Sequence, residues 1–260
     1  MTRNFPITLA LAFAFRLHAA NEPIAPDVAA FDRVLKMYVL EDGTVRYAAL
    51  KADLGPLSRF VDQIGAVSPD SHPKLFPDRS YKLAYWLNAY NGLVLWAMAK
   101  EYPEKKDQLK SLIGRYEFFM STKFKAGGRD LSLNDIETNA IRKQFQEPRI
   151  HFAVVCASMG CPWLSREAFR GDRVEEQLAA RTRLFVNQAR NVRLNPSRRE
   201  VELSSIFEWY APDFGASKEE MLNFISKYRT ADGAELREGK WKVRYVKYDW
   251  GINAAKSGDR

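Results

Sequence analysis

The most reactive side chains of the chain stand together in one short segment, residues 156–162 (CASMGCP), which holds two cysteines and a serine. The apolar run RIHFAVV, residues 149–155, comes directly before it and predicts a buried strand. Side chains at the end of a buried strand are held by a rigid scaffold, as in many functional sites. A thiolate nucleophile needs electropositive surroundings, which His151 and Arg149 could supply. This segment is therefore the first candidate for a site.

The two cysteines leave three interpretations open. In the first, Cys156 and His151 form an acyl-transfer pair, in which the thiolate attacks a carbonyl and the imidazolium returns the proton to the leaving group. Residues five apart on a straight strand face opposite sides, so this pair can meet only if the strand ends before Cys156 and the loop folds back. In the second, Cys156 and Cys161 form a disulfide that closes a tight loop. In the third, both are buried thiols without chemistry.

Metal and cofactor chemistry is not predicted for this chain. The spacing C-x4-C differs from the redox spacing C-x-x-C, and it has no companion ligands for a metal ion. The two cysteines and three histidines of the whole chain exclude a cysteine-rich zinc module. His151 can equally be a core histidine with a hydrogen-bond partner, as most buried polar groups are.

Two amides lie on one face of an apolar helix. Asn88 and Asn91 are three residues apart, and each must be hydrogen-bonded because an unpaired buried amide costs about 1–3 kcal/mol. The structural interpretation is that they tie a neighbouring segment to the core. The functional interpretation is that one of them orients a substrate carbonyl or a catalytic imidazole.

Acidic and aromatic residues further along the chain have two interpretations as well. Asp135 and Glu137 stand at the start of a predicted helix, where carboxylates suit the helix dipole. A later aromatic patch with one carboxylate is typical of a core with a helix cap, and less often of a ligand platform. Its members are Trp209, Tyr210, Asp213 and Phe214.

The elements that must position these residues are mostly helical. Residues 79–100 are apolar nearly all round, which predicts a central, buried helix. The remaining patterns predict helices over 27–39, 57–65, about 132–143, 173–190 and parts of 204–228, a hairpin around Gly127-Gly128, strand–turn–strand over 192–203 and a last strand over 242–253. Helices and strands do not alternate regularly. The sequence therefore predicts a helix-rich α+β single domain, with the central helix packed on a small mixed or antiparallel sheet.

Composition bounds the class of protein. The chain has 260 residues, of which 46% are hydrophobic and 28% charged, which excludes a disordered tail and a membrane bundle. Forty Lys and Arg against 32 Asp and Glu give a net charge of +8, but the basic clusters are scattered. This pattern favours a solvated face or weak contact with anionic cell-surface polymers, and no nucleic-acid partner is predicted.

The first twenty residues, 1–20, have the pattern of a secretory signal peptide. Arg3 precedes an apolar run over residues 5–15, and small residues follow at Ala19 and Ala20, where cleavage is expected. The run is too short to span a bilayer comfortably, and no later segment is long and apolar enough to do so. An ordinary apolar helix or an uncleaved anchor is the alternative. Export to the periplasm or outside the cell would place both cysteines in an oxidising compartment.

Several stretches resemble the motifs of the family called domain of unknown function 547. They are residues 31–50 (FDRVLKMYVLEDGTVRYAAL), 85–95 (YWLNAYNGLVL), 131–142 (LSLNDIETNAIR), 147–164 (EPRIHFAVVCASMGCPWL), 206–214 (IFEWYAPDF) and 248–253 (YDWGIN). The resemblance implies a single domain over 31–253, after a lead-in over 21–30 and before a tail over 254–260.

The same resemblance implies that signature polar residues gather around the two cysteines. They are Asn88, Asn91, Glu137, Arg149, His151, Cys156 and Cys161. Thr138 stands where the family usually has a histidine, so a Cys–His pair built on that histidine would be absent here. Val155 and Trp163 replace an asparagine and a proline that are frequent in the family. A papain- or transglutaminase-like fold would fit this resemblance.

Two functions of different classes follow, besides a purely structural envelope protein. The first is a thiol-dependent hydrolase or acyltransferase acting on amide or thioester carbonyls. Cys156 would be its nucleophile, His151 its base, and Asn88 or Arg149 its orienting group. The alternative is a non-catalytic module in which a Cys156–Cys161 disulfide locks the loop and the pocket holds a small ligand or a peptide end. Arg149 would then pair with a carboxylate.

Overall fold

A computed structural model describes residues 23–238 and 240–256, so the predicted signal peptide lies outside the described residues. The α-helices of the described part are α1 (Val28–Tyr38), α2 (Tyr47–Ala52), α3 (Gly55–Ala66), α4 (Arg79–Lys100), α5 (Leu112–Tyr116), α6 (Leu133–Asp135), α7 (Lys143–Phe145), α8 (Val174–Val186), α9 (Ser205–Trp209), α10 (Ala211–Phe214), α11 (Lys218–Ser226) and α12 (Gly233–Glu238). The strands are β1 (Phe124–Ala126), β2 (Arg129–Leu131), β3 (Val192–Asn195), β4 (Glu200–Ser204) and β5 (Lys242–Val246). Short 3-10 turns lie at Pro73–Leu75, Gln108–Lys110, Pro148–Phe152 and Pro196–Arg198, and π-helical turns at Glu117–Ser121 and Ile136–Arg142.

The strands form two small sheets, which together with the helices make an α+β single domain as predicted. β1 and β2 pair as an antiparallel hairpin, with Lys125 opposite Asp130. β4 lies between the other two strands of the second sheet, antiparallel to β3 and parallel to β5. This second sheet is therefore mixed. The likeness to a papain or transglutaminase fold stays a prediction.

Helix α4 is the central helix that the sequence predicts. Asp78 begins it by accepting hydrogen bonds from the backbone of Ser80 and Tyr81, and most of its side chains from Leu83 to Ala99 are buried. Helix α4 packs on α2, α3, α6, α8 and the π-turn Ile136–Arg142, and its core also contains Phe124, Ala126 and Leu131 of the β1–β2 hairpin, whereas the mixed sheet belongs to a second core. A helix that is apolar on all sides must be packed on all sides, and neighbouring helices can provide that packing as well as a sheet can.

Two hydrophobic cores meet within the domain. The first surrounds α4, and the second lies between α8, α9, α11 and the mixed sheet. The segment after Pro148 runs between them: Ile150 and Ala153 are buried in the first core, whereas Phe152 is buried in the second. His151, which is 2% exposed, is held at this junction.

The predicted strand over 149–155 is wrong. Pro148–Phe152 is a 3-10 turn, begun by the Glu147 side chain, which accepts from the backbone N–H of Arg149. A short apolar run shows only that a segment is buried on several sides, and a 3-10 turn between two cores satisfies that pattern as well as a strand does. Since side chains do not alternate in such a turn, the argument that separated His151 from Cys156 does not apply.

The ends of the domain also differ in detail from the sequence boundaries. Helix α1 begins at Val28, inside the predicted lead-in, and Ala254 and Ala255 pair with Val45, beyond the predicted boundary at 253. The predicted last strand is shorter, since β5 ends at Val246. Within the described residues, no helix has both the length and the apolar character that a bilayer crossing requires.

Candidate functional site

A cavity of about 360 Å³ opens beside the two cysteines. Polar or sulfur-bearing side chains in its wall come from Asn134, Glu137, His151, Cys156 and Cys161. Aromatic rings make up much of the remainder: Tyr90, Phe119, Trp209, Tyr210, Tyr248 and Trp250. The structure thus brings four of the predicted site residues, Glu137, His151, Cys156 and Cys161, into one wall.

Cys156 and Cys161 form a disulfide in this structure. Their Cα atoms are 6.2 Å apart, within the usual range for a disulfide, because Ala157 adopts a left-handed conformation (φ 61°) that turns the loop back. The disulfide interpretation therefore describes this state. The Cys156 sulfur is bonded and is not the thiolate that the hydrolase hypothesis requires.

The loop is fixed by the segment that follows β5. Met159 and Gly160 donate backbone hydrogen bonds to Gly251 and Asp249, and Asn253 donates to Ala157. The Tyr248 hydroxyl lies 3.2 Å from the Cys156 sulfur, 3.1 Å from the Cys161 sulfur and 3.0 Å from the Ser158 hydroxyl. Burial raises the pKa of Tyr248 well above its usual value, so it remains a hydroxyl at neutral pH.

His151 is oriented by a hydrogen bond to a carboxylate. Its Nε2 lies 2.6 Å from Asp213, whose carboxylate also accepts two hydrogen bonds from Arg142, at 2.8 and 3.1 Å. The hydrogen bond from His151 lowers the pKa of Asp213 well below its usual value, and Arg142 adds to this against the opposing effect of burial. An ionised carboxylate only accepts, so Nε2 carries the hydrogen. In the neutral ring Nδ1 is then a bare acceptor, and this buried atom has no partner among the described protein groups.

Glu137 provides a second acceptor in the cavity. Its two carboxylate oxygens accept from the hydroxyls of Tyr210, at 2.6 Å, and Tyr90, at 3.4 Å. Burial and the nearby Glu137 raise the pKa of both tyrosines. Tyr210 also stacks on the His151 ring at 3.9 Å, so the two acceptors are held in one rigid cluster. No Lys or Arg forms an ion pair with Glu137 in the part of the chain that the structure covers.

A π-helical turn carries Glu137 and Arg142. The turn Ile136–Arg142 interrupts the helical stretch between α6 and α7, and such turns are rare and frequently lie at functional sites. It brings Glu137 to the cavity and Arg142 to Asp213. Thr138, the position of the usual family histidine, donates to Asn134 at 3.4 Å.

Residues 75–186 match a family described as "Protein of unknown function, DUF547". These residues belong to the DUF547 family. No curated protein and no solved structure matches the chain. The DUF547 segment contains Glu137, His151, Cys156 and Cys161, whereas Asp213 and Tyr248 come from the chain that follows it.

Two candidate residues of the DUF547 segment, Asn88 and Asn91, form hydrogen bonds that hold the fold together. Asn88 exchanges two hydrogen bonds with the backbone of Phe169, and Asn91 bonds the backbone of Ala153 and Val155. Asn91 therefore holds the segment that leads into the cysteine loop. A second cavity, of about 330 Å³, adjoins Asn88, but the Asn88 amide is already paired there.

Arg149 of the DUF547 segment forms ion pairs with two glutamates. It pairs with Glu147 at 2.6 Å and with Glu175 at 2.6 Å, and these contacts raise its pKa. It is not among the residues that line the cavity beside the disulfide, and an orienting or carboxylate-binding role for Arg149 stays a prediction. Across the described residues, no group of three or more His, Cys, Asp and Glu side chains is arranged to hold a metal ion.

Asp213, Arg142 and Tyr248 are functional candidates that the sequence analysis did not assign. Asp213 was grouped with an aromatic patch, and Tyr248 belonged to the closing motif YDWGIN. The signal available in the sequence was that each of these three residues stands in a DUF547-like motif outside the cysteine loop. Their contact with His151 and the disulfide bridges 62 and about 90 residues of chain, which local spacing does not encode.

Proposed function

We propose that the chain binds a small molecule that donates hydrogen bonds, with amines as the leading class, in the cavity beside the disulfide. The observation that carries the proposal is the Glu137 carboxylate in the cavity wall, which accepts hydrogen bonds from two tyrosines and has no Lys or Arg ion-pair partner among the described residues. A carboxylate attracts a donor such as an ammonium or amide group, and it repels a carboxylate ligand. A locked loop suits binding, since a preorganised pocket loses little freedom when it is filled.

The aromatic wall supports a cationic ligand. Arg115 and Arg142 already lie over the rings of Trp250 and Tyr210, 4.3 and 4.9 Å from the ring centres, so a ligand cation would use the other rings. Trp209 and Tyr248 offer further rings in the same cavity. A cation over such a ring gains about 0.5–2 kcal/mol.

Three ligands of similar shape and different charge test the proposal. Benzylamine, benzyl alcohol and benzoate are titrated against the protein at neutral pH while tryptophan fluorescence is recorded, since Trp209 and Trp250 line the cavity. We expect saturable binding with benzylamine strongest and benzoate weakest. Glu137→Gln should remove the preference for the amine, whereas Glu219→Gln, an exposed glutamate on α11, should leave it unchanged. Equal binding of all three ligands, or stronger binding of benzoate, contradicts the proposal.

A second candidate is a thiol-dependent hydrolase or acyltransferase that acts after the disulfide is reduced. The observation that favours it is the Asp213–His151 pair, which orients a histidine that lines the same cavity as Cys156 and whose Nδ1 has no protein partner among the described residues. A dithiol reductant would release both thiols, and His151 would take the Cys156 proton. The thiolate would then attack an amide or thioester carbonyl and form an acyl-enzyme, while the imidazolium protonates the leaving group.

Alkylation of the reduced protein tests this candidate. After reduction we expect iodoacetamide to modify Cys156 faster than Cys161 near neutral pH, and His151→Gln to slow the reaction at Cys156 alone. Peptide mass spectrometry separates the two sites. Equal rates at both cysteines, unaffected by His151→Gln, would exclude an activated thiol and leave the binding proposal intact.

We also propose that the protein is exported. The apolar run after Arg3 and the presence of a disulfide support an oxidising compartment. The intact mass of the protein recovered from the cell envelope or medium should lack residues 1–19 or 1–20. A full-length mass, with the protein in the cytoplasm, would contradict export.

A further inference from the structure

Large apolar side chains are exposed together on one short helical stretch. Leu112 and Ile113 are 77% and 81% exposed, and Tyr116 and Met120 are 64% and 44% exposed. Leu112, Tyr116 and Met120 follow one another at intervals of four, so they share one face of α5 and the π-turn that continues it. Single exposed apolar residues are ordinary, whereas a contiguous group marks an interaction surface. We call these four side chains the apolar face.

The stretch is anchored from its other side, so the apolar face cannot simply turn inward. Phe118 is buried, and Arg115 lies over the Trp250 ring while donating to the carbonyl of Leu109 at 2.7 Å. Gly114 is packed so closely that an added Cβ would lie 2.1 Å from the carbonyl oxygen of Gln108. The exposure of the apolar face is therefore fixed by the fold.

Exposed lysines precede the apolar face in the chain. Residues 100–125 contain seven Lys and Arg against four Asp and Glu, a local net charge of +3. Lys105, Lys106 and Lys110 are exposed just before α5, where Lys105 and Lys110 form surface ion pairs with Glu101 and Asp107. Exposed apolar side chains that follow exposed lysines fit the interface of an anionic bilayer, where lysines contact headgroups and apolar groups enter the acyl boundary. The net charge of +8 of the whole chain also favours an anionic surface.

We propose that the apolar face docks the protein on an anionic membrane surface. Leu112 and Ile113 enter the interfacial layer, and the lysines before α5 lie at the headgroups. Two neighbours of the face line the cavity, namely Phe119 and the Trp250 ring beneath Arg115. Docking by this face therefore brings the cavity close to the bilayer. The proposal rests on exposure and charge, and it stands independently of any ligand of the cavity.

Vesicle sedimentation tests the docking proposal. The purified protein is mixed with phosphatidylcholine vesicles that either contain or lack phosphatidylglycerol. We expect binding to the anionic vesicles only, weakened by added salt because salt screens the lysine contacts. Leu112→Ser with Ile113→Ser should weaken binding about tenfold or more, since two apolar side chains lose their insertion. Lys106→Gln with Lys110→Gln should weaken binding to anionic vesicles.

A matched variant controls for general loss of surface hydrophobicity. Met37→Ser with Leu184→Ser replaces exposed apolar residues at other sites, and it should bind vesicles as the unaltered protein does. All variants share the same N-terminal residues, so any contribution from residues 5–15 is common to them. Circular dichroism verifies that each variant is folded.

Three results would overturn the proposal. They are no binding of the unaltered protein to anionic vesicles, equal binding by the Leu112/Ile113 variant, and a dimer in light scattering that this variant abolishes. The last would assign the apolar face to a second copy of the chain.

Discussion

At the scale of single residues, the two ring nitrogens of His151 have different environments. Nε2 is fixed by Asp213, which Arg142 holds in turn, while Nδ1 has no partner among the described protein groups. This is the arrangement in which a carboxylate sets the tautomer and orientation of an imidazole. The buried ring thus fits the structural interpretation of His151 through Nε2, while Nδ1 has no partner among the described protein groups.

The pKa of Asp213 predicts how stability depends on pH. Its pKa is lower in the folded protein than its usual value of 3.8, because His151 and Arg142 bind the ionised form. The stability gained is therefore fully present above pH 3.8 and is lost as the pH falls below that value. Asp213→Asn should lower the free energy of unfolding at pH 7 by about 1–3 kcal/mol, the range for hydrogen bonds to a charged group.

Urea unfolding at pH 7 and at pH 3 measures this difference. The difference in unfolding free energy between the unaltered protein and Asp213→Asn should narrow at pH 3, because the Asp213 carboxylate of the unfolded chain then takes up a proton that the folded state does not yet bind. Other carboxylates with lowered pKa values, such as Asp135 and Glu147, contribute equally to both proteins, so their effect on stability cancels in the difference. A gap of the same size at both pH values would show that the charge of Asp213 is not what stabilises the pair.

Residue types and motif likeness identified much of the cavity wall but few of the contacts between its residues. The cysteine loop, His151 and Glu137 all came from sequence, because reactive groups and motif likeness mark them. The partner of His151 could not be inferred, since Asp213 is 62 residues away and the contact depends on how the two cores meet. The ion pair of Arg149 with Glu175 could not be inferred either, since the two residues are 26 apart in the chain.

At the scale of elements, backbone hydrogen bonds join the cysteine loop to residues 249–253. The loop and residues 249–253 exchange backbone hydrogen bonds, and Tyr248 packs directly on Gly160. Helix α4, the hairpin β1–β2 and the pair β3–β4 were predicted from periodicity and turn residues. The 3-10 turn at Pro148–Phe152 was not, because burial between two cores makes a turn as apolar as a strand.

Gly160 allows the close approach of Tyr248, which predicts a local effect of a single methyl group. A Cβ at position 160 would lie 2.9 Å from ring atoms of Tyr248. Gly160→Ala should therefore displace the ring and lower the free energy of unfolding by about 1–3 kcal/mol. It should also weaken benzylamine binding, because Tyr248 lines the cavity.

Gly55→Ala is the matched control, since the nearest atom to an added Cβ there is the end of the Arg59 side chain at 3.6 Å. This variant should keep or slightly raise stability. Chemical denaturation and the fluorescence titration compare the two variants. If Gly160→Ala and Gly55→Ala behave alike, the packing of Tyr248 on Gly160 does not position the cavity wall.

At the scale of the whole molecule, the cavity is built by the DUF547 segment together with the chain that follows it. The DUF547 segment ends at residue 186, yet Trp209, Tyr210, Tyr248 and Trp250 complete the cavity wall. Sequence reasoning placed residues 31–253 in one domain on motif likeness. It could not show two cores, because each core collects residues from separate parts of the chain.

The two cores should unfold as one unit, because the segment after Pro148 contributes to both. Phe152 stacks on Phe185 at 4.6 Å and contacts Phe207 and Phe214 in the second core, while its neighbours Ile150 and Ala153 lie in the first. Phe152→Ala should cost about 3–5 kcal/mol, the usual range for a buried phenylalanine. We expect a single transition in urea, with far-UV circular dichroism and tryptophan fluorescence coinciding before and after the substitution.

Ile64→Val, a small change buried in the first core, is the companion variant and should cost about 0.5–1.5 kcal/mol. Both substitutions should shift the whole transition to lower urea concentration in proportion to their cost. Independent cores would behave differently: Phe152→Ala would split off an early transition and leave the unfolding of the α4 core at its original midpoint. That outcome would mean that His151 lies between two separately stable units, and the cavity would then open without unfolding of the α4 core.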